Sequence, residues 1–345
     1  MVRSRFGAAL TVLAMATLMF APAASAQDQL SIATGGTGGV YFPYGGALAS
    51  LLTANLEGTN VTAEATSASV DNMYLIESGD ADIAFVLGDT AYDAVQGNPP
   101  FEDPIAAQAL ATLYNNYTQI VVNADAGISS IADLAGKRVS VGAPGSGTEV
   151  IANRILQVSG IDPASGIEVE RLGVAESADA IRDGQIDAFF WSGGLPTAAI
   201  TDLSATPNVS VQLLPHGEVA AALQEAYGDF YSTDVIPANT YTNQTSDVEV
   251  VIVPNVLVVN ESMDEELAYN ITRVMFEGQA ELAAAHPEAA KLTLENATVG
   301  SPIPFHPGAV RYYQEQGFTP GGSATPDASP AATPDATPAT PVAAG

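Results

Sequence analysis

This chain of 345 residues has no cysteine and few basic residues. It contains only ten Lys and Arg against 39 Asp and Glu, which gives a formal net charge of −29. The absence of cysteine excludes disulfides, thiol nucleophiles and thiolate metal sites. A chain this acidic repels nucleic acids and anionic lipid surfaces. We therefore expect no nucleic-acid partner, and few cations are available to hold an anionic ligand.

Patterns that would mark an enzyme or a metal site are also missing. The three histidines, His216, His286 and His306, are far apart in the sequence, and no His-x-x-His spacing occurs. There is no Gly-x-Ser-x-Gly nucleophile elbow, and the carboxylates are scattered along the chain. We expect a protein that is not an enzyme and that uses neither a cofactor nor a metal ion.

The two ends of the chain differ from the part between them. Residues 1–26 contain Arg3 and Arg5, an apolar run and a final Ala-Ser-Ala, which is typical of a secretory signal cleaved near Ala26. A membrane anchor is the alternative for this segment. Residues 319–345 are rich in Pro, Ala and Thr and are predicted to be disordered. The mature chain is expected to be periplasmic or otherwise extracytoplasmic, with no membrane span.

Two series of segments follow the same order of elements. In the first, the strand "LSIATGG" precedes a glycine loop, a helix, the strand "VTAEAT", a second helix and the strand "ADIAFVL". In the second, "KRVSVGA", the loop "PGSGT", a helix, "IEVERLG", a helix and "IDAFFWSGG" repeat that order. Alternating strands and helices predict parallel sheets covered by helices. The chain is therefore predicted to form two similar α/β lobes.

Two long apolar segments, residues 110–123 and 248–260, are predicted to be crossover strands that form a hinge between the lobes. The first lobe would comprise residues 27–117 and 256–318, and the second lobe residues 118–255. The segment "DEELAYNITRVMFEGQAELAAAH", residues 264–286, predicts a helix that packs on the first lobe.

The glycine loops are the most informative features of the sequence. Each follows a strand and precedes a helix, where free backbone N–H groups and the helix dipole favour an anion. "GGTGG" (35–39) lacks the dinucleotide fingerprint, and "GAPGSGTE" (142–149) has Thr148 where a phosphate-binding P-loop has lysine. A carboxylate is the anion that remains. The alternative for either loop alone is a tight turn that needs positive φ.

Other candidate side chains follow the strand ends, where ligands bind in open α/β sheets. They are Ser67, Ser69, Asp89, Thr90, Trp191, Ser192, Gly193 and Gly194, with Tyr41 and Tyr114 as further aromatic candidates. Several have a structural alternative. Ser69 and Asp89 would serve equally well as helix caps, and Trp191 would serve as a core residue. As a site residue, Asp89 would bind a ligand ammonium group.

The motifs "SIATGGTGGVYFPYGGALA", "EATSASVDNMYLIESGDADIAFV", "SIADLAGKRVSVGAPGSGTEV" and "DGQIDAFFWSGGLP" together resemble the TAXI receptors of TRAP (tripartite ATP-independent periplasmic) transporters. The similarity extends over about residues 30–317. It implies a type II periplasmic-binding-protein fold, with two lobes of mostly parallel sheet flanked by helices and two hinge crossovers. It also implies ligand contacts from Thr37, Gly38, Tyr41, Ser67, Ser69, Ser146, Gly147 and Thr148.

The resemblance further implies a receptor that captures a small carboxylate, either a glutamate-like amino acid or a dicarboxylate, between its lobes. The receptor would deliver this ligand to TRAP permease subunits in the membrane, and we expect it to act as a monomer. Two alternatives share the fold. One is the substrate-binding protein of an ABC importer for a small organic anion, and the other is a sensory ligand-binding module.

Overall fold

The computed structural model describes residues 28–321. The predicted signal peptide and the predicted tail beyond residue 321 lie outside the described residues. The strands are β1 (Asp28–Ala33), β2 (Thr59–Glu64), β3 (Ile83–Leu87), β4 (Ala107–Asn123), β5 (Arg138–Ser140), β6 (Glu168–Glu170), β7 (Ala188–Gly193), β8 (Val211–Leu213), β9 (Ser232–Ile236) and β10 (Val248–Asn260). The helices are α1 (Tyr41–Asn55), α2 (Ser69–Ser78), α3 (Gly88–Gln96), α4 (Gly147–Val158), α5 (Val174–Arg182), α6 (Ala198–Ala205), α7 (Ala220–Tyr227), α8 (Glu265–Glu277), α9 (Gln279–Ala285), α10 (Leu294–Ala297) and α11 (Pro307–Glu315).

The ten strands form one continuous mixed sheet, in which eight follow the order β2-β1-β3-β10-β4-β7-β5-β6, β8 pairs with β4 and β9 pairs with β10. Strands β1, β2 and β3 are parallel to one another, and so are β5, β6 and β7. The long strands β10 and β4 lie between these two sets and run antiparallel to their neighbours. The predicted fold class is therefore confirmed: two α/β lobes of mostly parallel sheet share a pair of crossover strands.

The duplication seen in the sequence has a structural counterpart at two aspartates. Asp82, just before β3, accepts the backbone N–H of Ser31 in β1 at 2.8 Å. Asp187, just before β7, accepts the backbone N–H of Arg138 in β5 at 3.0 Å. In each lobe, an aspartate at the equivalent position thus joins the third strand to the first.

The helices bury their apolar faces against the sheet. Tyr44, Leu48, Leu51 and Leu52 of α1 are buried in the core of the first lobe. The predicted helix over residues 264–286 forms two helices instead, because α8 ends at Glu277 and α9 begins at Gln279. Gly278 lies between them, and glycine is a poor helix former. Within residues 28–321, no helix is both long and apolar enough to cross a membrane.

Candidate functional site

A cavity of about 240 Å³ lies between the two lobes. Its volume is below the roughly 300–1,000 Å³ of pockets that enclose drug-sized ligands, so it suits a smaller molecule. Eleven of the twelve predicted site residues line it: Thr37, Gly38, Tyr41, Ser67, Ser69, Ser146, Gly147, Thr148, Trp191, Ser192 and Gly193. The twelfth, Asp89, does not. The structure brings the eleven together, and ligand binding by them remains a prediction.

The first glycine loop, residues 35–39, connects β1 to α1 and reaches across to the second lobe. A Cβ atom on Gly39 would lie 2.8 Å from the ring of Trp191, and a Cβ on Gly38 would lie 3.2 Å from Ala175. Because 2.8 Å is shorter than van der Waals contact, a side chain at position 39 would clash, and glycine there permits the loop to approach Trp191. The indole N–H of Trp191 donates to Thr197 Oγ1 at 2.9 Å, and its half-buried ring forms one wall of the cavity.

The second glycine loop, residues 142–146, connects β5 to α4. Gly142 has a φ of +104°, a conformation that glycine adopts readily. Ser146 caps α4, because its Oγ accepts the backbone N–H of Glu149 at 3.1 Å. The Glu149 carboxylate accepts the N–H of Gly145 at 3.1 Å and pairs with Arg171 at 2.7 Å. Glu149, which follows the position of the P-loop lysine, therefore stabilises the loop and lies outside the cavity wall.

Thr148 lies in the first turn of α4 and is buried at the cavity wall. Its Oγ1 accepts the backbone N–H of Ser192 at 3.2 Å, so the hydroxyl hydrogen is available to a ligand. No protein acceptor within residues 28–321 pairs with the first-turn N–H groups of Gly147 and Thr148. These donors, together with the positive end of the α4 dipole, create a site that favours a negative charge.

The start of α5 is a part of the cavity that the sequence did not reveal. Gly173, Val174, Ala175 and Glu176 line the cavity, and among the described residues no side chain caps this helix. Their position after the second strand of the second lobe corresponds to that of Ser67 and Ser69 in the first lobe. The internal duplication was therefore the signal that could have located them.

The serine loop of the first lobe makes a contact across the cleft. Ser67 and Ser69 line the cavity, but Ala68 occupies the N-cap position of α2. The Ser69 hydroxyl instead accepts the backbone N–H of Leu87 at 3.1 Å. The carbonyl oxygen of Gly145, in the second lobe, accepts the N–H of Val70 at 3.1 Å. The two lobes therefore touch at the first turn of α2.

Asp89 is buried outside the cavity wall in a polar network that joins the lobes. Its carboxylate accepts a hydrogen bond from the Tyr231 hydroxyl at 2.7 Å and lies 3.6 Å from Arg154 Nη1. The other terminal nitrogen of Arg154 pairs with Asp93. Burial lowers the pKa of Arg154, but the neighbouring Tyr231 phenol and the Asp89 and Asp93 carboxylates outweigh it, so the net shift of this pKa is upward. The role predicted for Asp89, binding of a ligand ammonium group, does not fit this position.

Charged side chains are scarce around the cavity. Arg3 and Arg5 precede the described residues, and the other eight basic side chains are engaged away from the cavity: seven pair with carboxylates, and Lys137 donates to the carbonyl of Ala126. Glu176 is the one ionisable acid in the described cavity wall. An anion bound here would be held by N–H and O–H donors.

Tyr41 lines the cavity with a phenol group. Burial strongly raises the pKa of Tyr41, with a further increase from Asp89, so the phenol stays protonated and can donate a hydrogen bond. No group of three or more His, Asp or Glu side chains among residues 28–321 is placed to hold a metal ion.

Several solved structures are similar to this chain. The periplasmic aliphatic sulphonate-binding protein SsuA of Escherichia coli is 15% identical with a TM-score of 0.46, covering 84% of this chain and 83% of its own. The GluR0 ligand-binding core in complex with L-glutamate is 12% identical with a TM-score of 0.47, covering 77% of this chain and 98% of its own. An ancestral arginine-binding protein bound to arginine is 14% identical with a TM-score of 0.47, covering 78% and 100%.

A sequence profile described as the NMT1-like family matches residues 32–317, nearly all of the described chain. This match corrects the assignment made from the sequence motifs, because the family found is not the TAXI receptors of TRAP transporters. The glycine-loop motifs therefore do not distinguish the TAXI receptors from the NMT1-like family. The chain belongs to the NMT1-like family, whose profile spans both lobes of the mixed α/β fold described above.

Proposed function

We propose that this protein is the extracytoplasmic binding subunit of an ABC-type importer and that it captures a small organic anion between its lobes. The observation that carries the proposal is the cavity wall formed by the first turns of α4 and α5. Backbone N–H groups and the Thr148 hydroxyl meet there, and the described part of the chain places no cationic side chain beside them. Helix N-termini stabilise carboxylate and sulfonate groups through these same donors.

The ligand class is narrowed by Glu176 in the first turn of α5. Its carboxylate is the one charged side chain in the described wall, and it lies beside the N–H donors of the same helix. A zwitterionic ligand would place its carboxylate on these donors and its ammonium group near Glu176. An α-amino acid is therefore favoured over a simple carboxylate or sulfonate.

The ligand part of the proposal is tested by isothermal titration calorimetry with the purified mature chain. The panel contains α-amino acids, alkanesulfonates and small carboxylic acids. We expect saturable binding of one molecule per chain by a member that carries an anionic group. Failure of every anionic compound to bind would overturn the proposal.

The importer class is tested by uptake of the radiolabelled ligand in cells that possess or lack this gene. An ABC importer uses ATP, so uptake should stop with orthovanadate and continue when an ionophore dissipates the ion gradients while ATP is maintained. Uptake that follows the ion gradient, or that does not depend on the gene, would contradict this part of the proposal.

A further inference from the structure

Beneath the cavity, three strands share a stripe of polar side chains. Tyr114, Asn116 and Thr118 alternate along β4 and therefore share one face of the sheet. Asn255 of β10 pairs directly with Tyr114, and Ser192 of β7 pairs directly with Thr118. Directly paired residues on adjacent strands also share a face. We call these five residues the floor stripe, and two of them, Tyr114 and Ser192, line the cavity.

The floor stripe is buried, yet its polar atoms have few protein partners. Twelve buried side-chain polar atoms lack a hydrogen-bond partner among the described residues, and six of them belong to this stripe. The six are the Tyr114 hydroxyl, both amide atoms of Asn116, Asn255 Nδ2, Thr118 Oγ1 and Ser192 Oγ. A buried polar atom without a partner is unfavourable, because it has given up its hydrogen bonds to water without replacing them. Their concentration in one place therefore points to a binding function.

The helix α1 closes over the stripe from the first lobe. The Tyr41 hydroxyl donates to Asn255 Oδ1 at 3.1 Å, which leaves the Asn255 amide nitrogen as a free donor. The exposed fractions of Asn116 and Asn255 are 0%. A ligand group that reaches this depth would be fully removed from water and would depend on these side chains for its hydrogen bonds.

The charges around the stripe are unfavourable for a second anion. Its members are neutral, and none of the cavity-wall residues within 28–321 is a Lys or Arg. The Asp89 carboxylate contributes to the raised pKa of Tyr41, and the Glu288 carboxylate contributes to the raised pKa of Tyr114, after burial in both cases. A buried carboxylate with no cationic partner would therefore be repelled as well as desolvated.

We propose that the floor stripe is a second subsite that binds a neutral hydrogen-bonding group of the ligand, an amide or a hydroxyl, and discriminates against a second carboxylate. This inference rests on the proposed function, because it assigns one end of the ligand to the helix N-termini. A primary amide both donates and accepts, which matches the donors and acceptors of Asn116, Asn255 and Tyr114. A dicarboxylate is disfavoured.

The test compares ligands that differ only in an amide and a carboxylate. L-Glutamine with L-glutamate, L-asparagine with L-aspartate and succinamate with succinate are titrated calorimetrically at neutral pH. We expect the amide member of the pair that fits the cavity to bind at least about tenfold more tightly than its acid. Equal affinities, or tighter binding of the acid, would overturn the inference, as would binding of alkanesulfonates alone. Failure of every compound to bind would overturn the proposed function itself.

Variants identify the source of the preference. Asn116→Ala should reduce the ratio of amide to acid affinity to below about threefold. Its matched control is Asn115→Ala, the adjacent residue of β4, which is exposed on the opposite face of the sheet and should leave the ratio unchanged. Ser192→Ala, which removes one hydroxyl without a protein partner, is measured as well in case Asn116→Ala fails to fold. An unchanged ratio in both Asn116→Ala and Ser192→Ala would overturn the assignment.

Discussion

The hydroxyl oxygen of Thr148 accepts the backbone N–H of Ser192 at 3.2 Å. This bond fixes the Thr148 side chain at the junction of α4 and β7. Because the Thr148 oxygen is the acceptor in this bond, the hydroxyl hydrogen can be donated to another partner. Thr148 occupies the position of a P-loop lysine, and it offers a neutral hydroxyl group in place of a cation.

Replacing Thr148 with alanine removes this donor and leaves the Ser192 N–H without its acceptor. We expect ligand affinity to fall about tenfold, because one buried hydrogen bond to a charged group is lost. Thr148→Ser is the matched control and should retain most of the affinity. Calorimetry measures both, and ATP should bind to none of the three proteins. Affinity in Thr148→Ala equal to that of the wild type would return the loop to a purely structural role.

A methyl group at Gly39 should interfere with the contact between the lobes. Its Cβ would lie 2.8 Å from the Trp191 ring, so Gly39→Ala forces the ring or the loop to shift. We expect affinity to fall roughly tenfold, since overpacking typically costs about 1–3 kcal/mol. Gly46→Ala is the control, because no atom lies within 4 Å of a Cβ at that helical position. If the two variants bind ligand equally well, close approach of the loop is not needed for binding.

Glu176 should matter only for ligands that carry an ammonium group. Glu176→Gln keeps the size of the side chain but removes its charge, so we expect weaker binding of amino acids. Binding of carboxylates or sulfonates that lack an ammonium group should stay the same or become tighter. Calorimetric titration of one compound of each kind measures the difference. Equal effects on both kinds would contradict an ammonium site at Glu176.

The buried network around Arg154 should contribute strongly to stability. Arg154→Met leaves the carboxylates of Asp89 and Asp93 buried without their cation. Removing one partner from such a group typically costs about 3–5 kcal/mol. Denaturant unfolding measures this loss. Arg273→Met, which removes a helical pair with Glu277 near the surface, should cost no more than about 0.5 kcal/mol. Similar losses in both variants would contradict the importance of the buried network.

His216 should make stability depend on pH below neutrality. Burial lowers the pKa of His216 to about 4, and its Nδ1–H donates to the Leu214 carbonyl at 2.9 Å. Between pH 6.5 and 4 the unfolded chain therefore binds more protons at this residue than the folded chain does. Its contribution to stability is complete above about pH 6.5 and declines as the pH falls toward 4.

The size of this effect is obtained by comparison with His216→Gln, because many carboxylates titrate in the same range. The free energy of unfolding is measured by denaturant titration at several pH values. From neutral pH to pH 4, the wild type should lose about 3 kcal/mol more than the variant. Parallel pH profiles for the two proteins would contradict a buried neutral histidine.

The fold was largely predictable because its signals are local. The apolar run of residues 248–260 coincides with β10, and the two glycine loops follow β1 and β5 as expected. Asp82 and Asp187 even make equivalent bonds in the two lobes. Strand order could not be derived from such patterns alone, and the fold class depended on recognising the duplicated layout.

The site was predictable only in part, because some of its features depend on contacts between distant segments. Asp89 follows a strand as a ligand-binding residue would, but its pairing with Arg154 and Tyr231 is invisible in the sequence. The start of α5 was missed because Gly173, Val174 and Ala175 carry no polar side chain, and their donors belong to the backbone. Of the floor stripe, Tyr114 and Ser192 were candidates, but Asn116, Thr118 and Asn255 were missed because they lie within the apolar crossover strands β4 and β10.

Anion binding at the helix N-termini is tested most directly by comparing the tightest ligand of the calorimetric panel with its methyl ester at the anionic group. We expect the anion to bind at one site per chain and the neutral ester to bind at least about a hundredfold more weakly, because the ester has no charge to place at the helix N-termini. Comparable binding of anion and ester, or no binding of any anion in the panel, would show that the helix N-termini do not hold an anion.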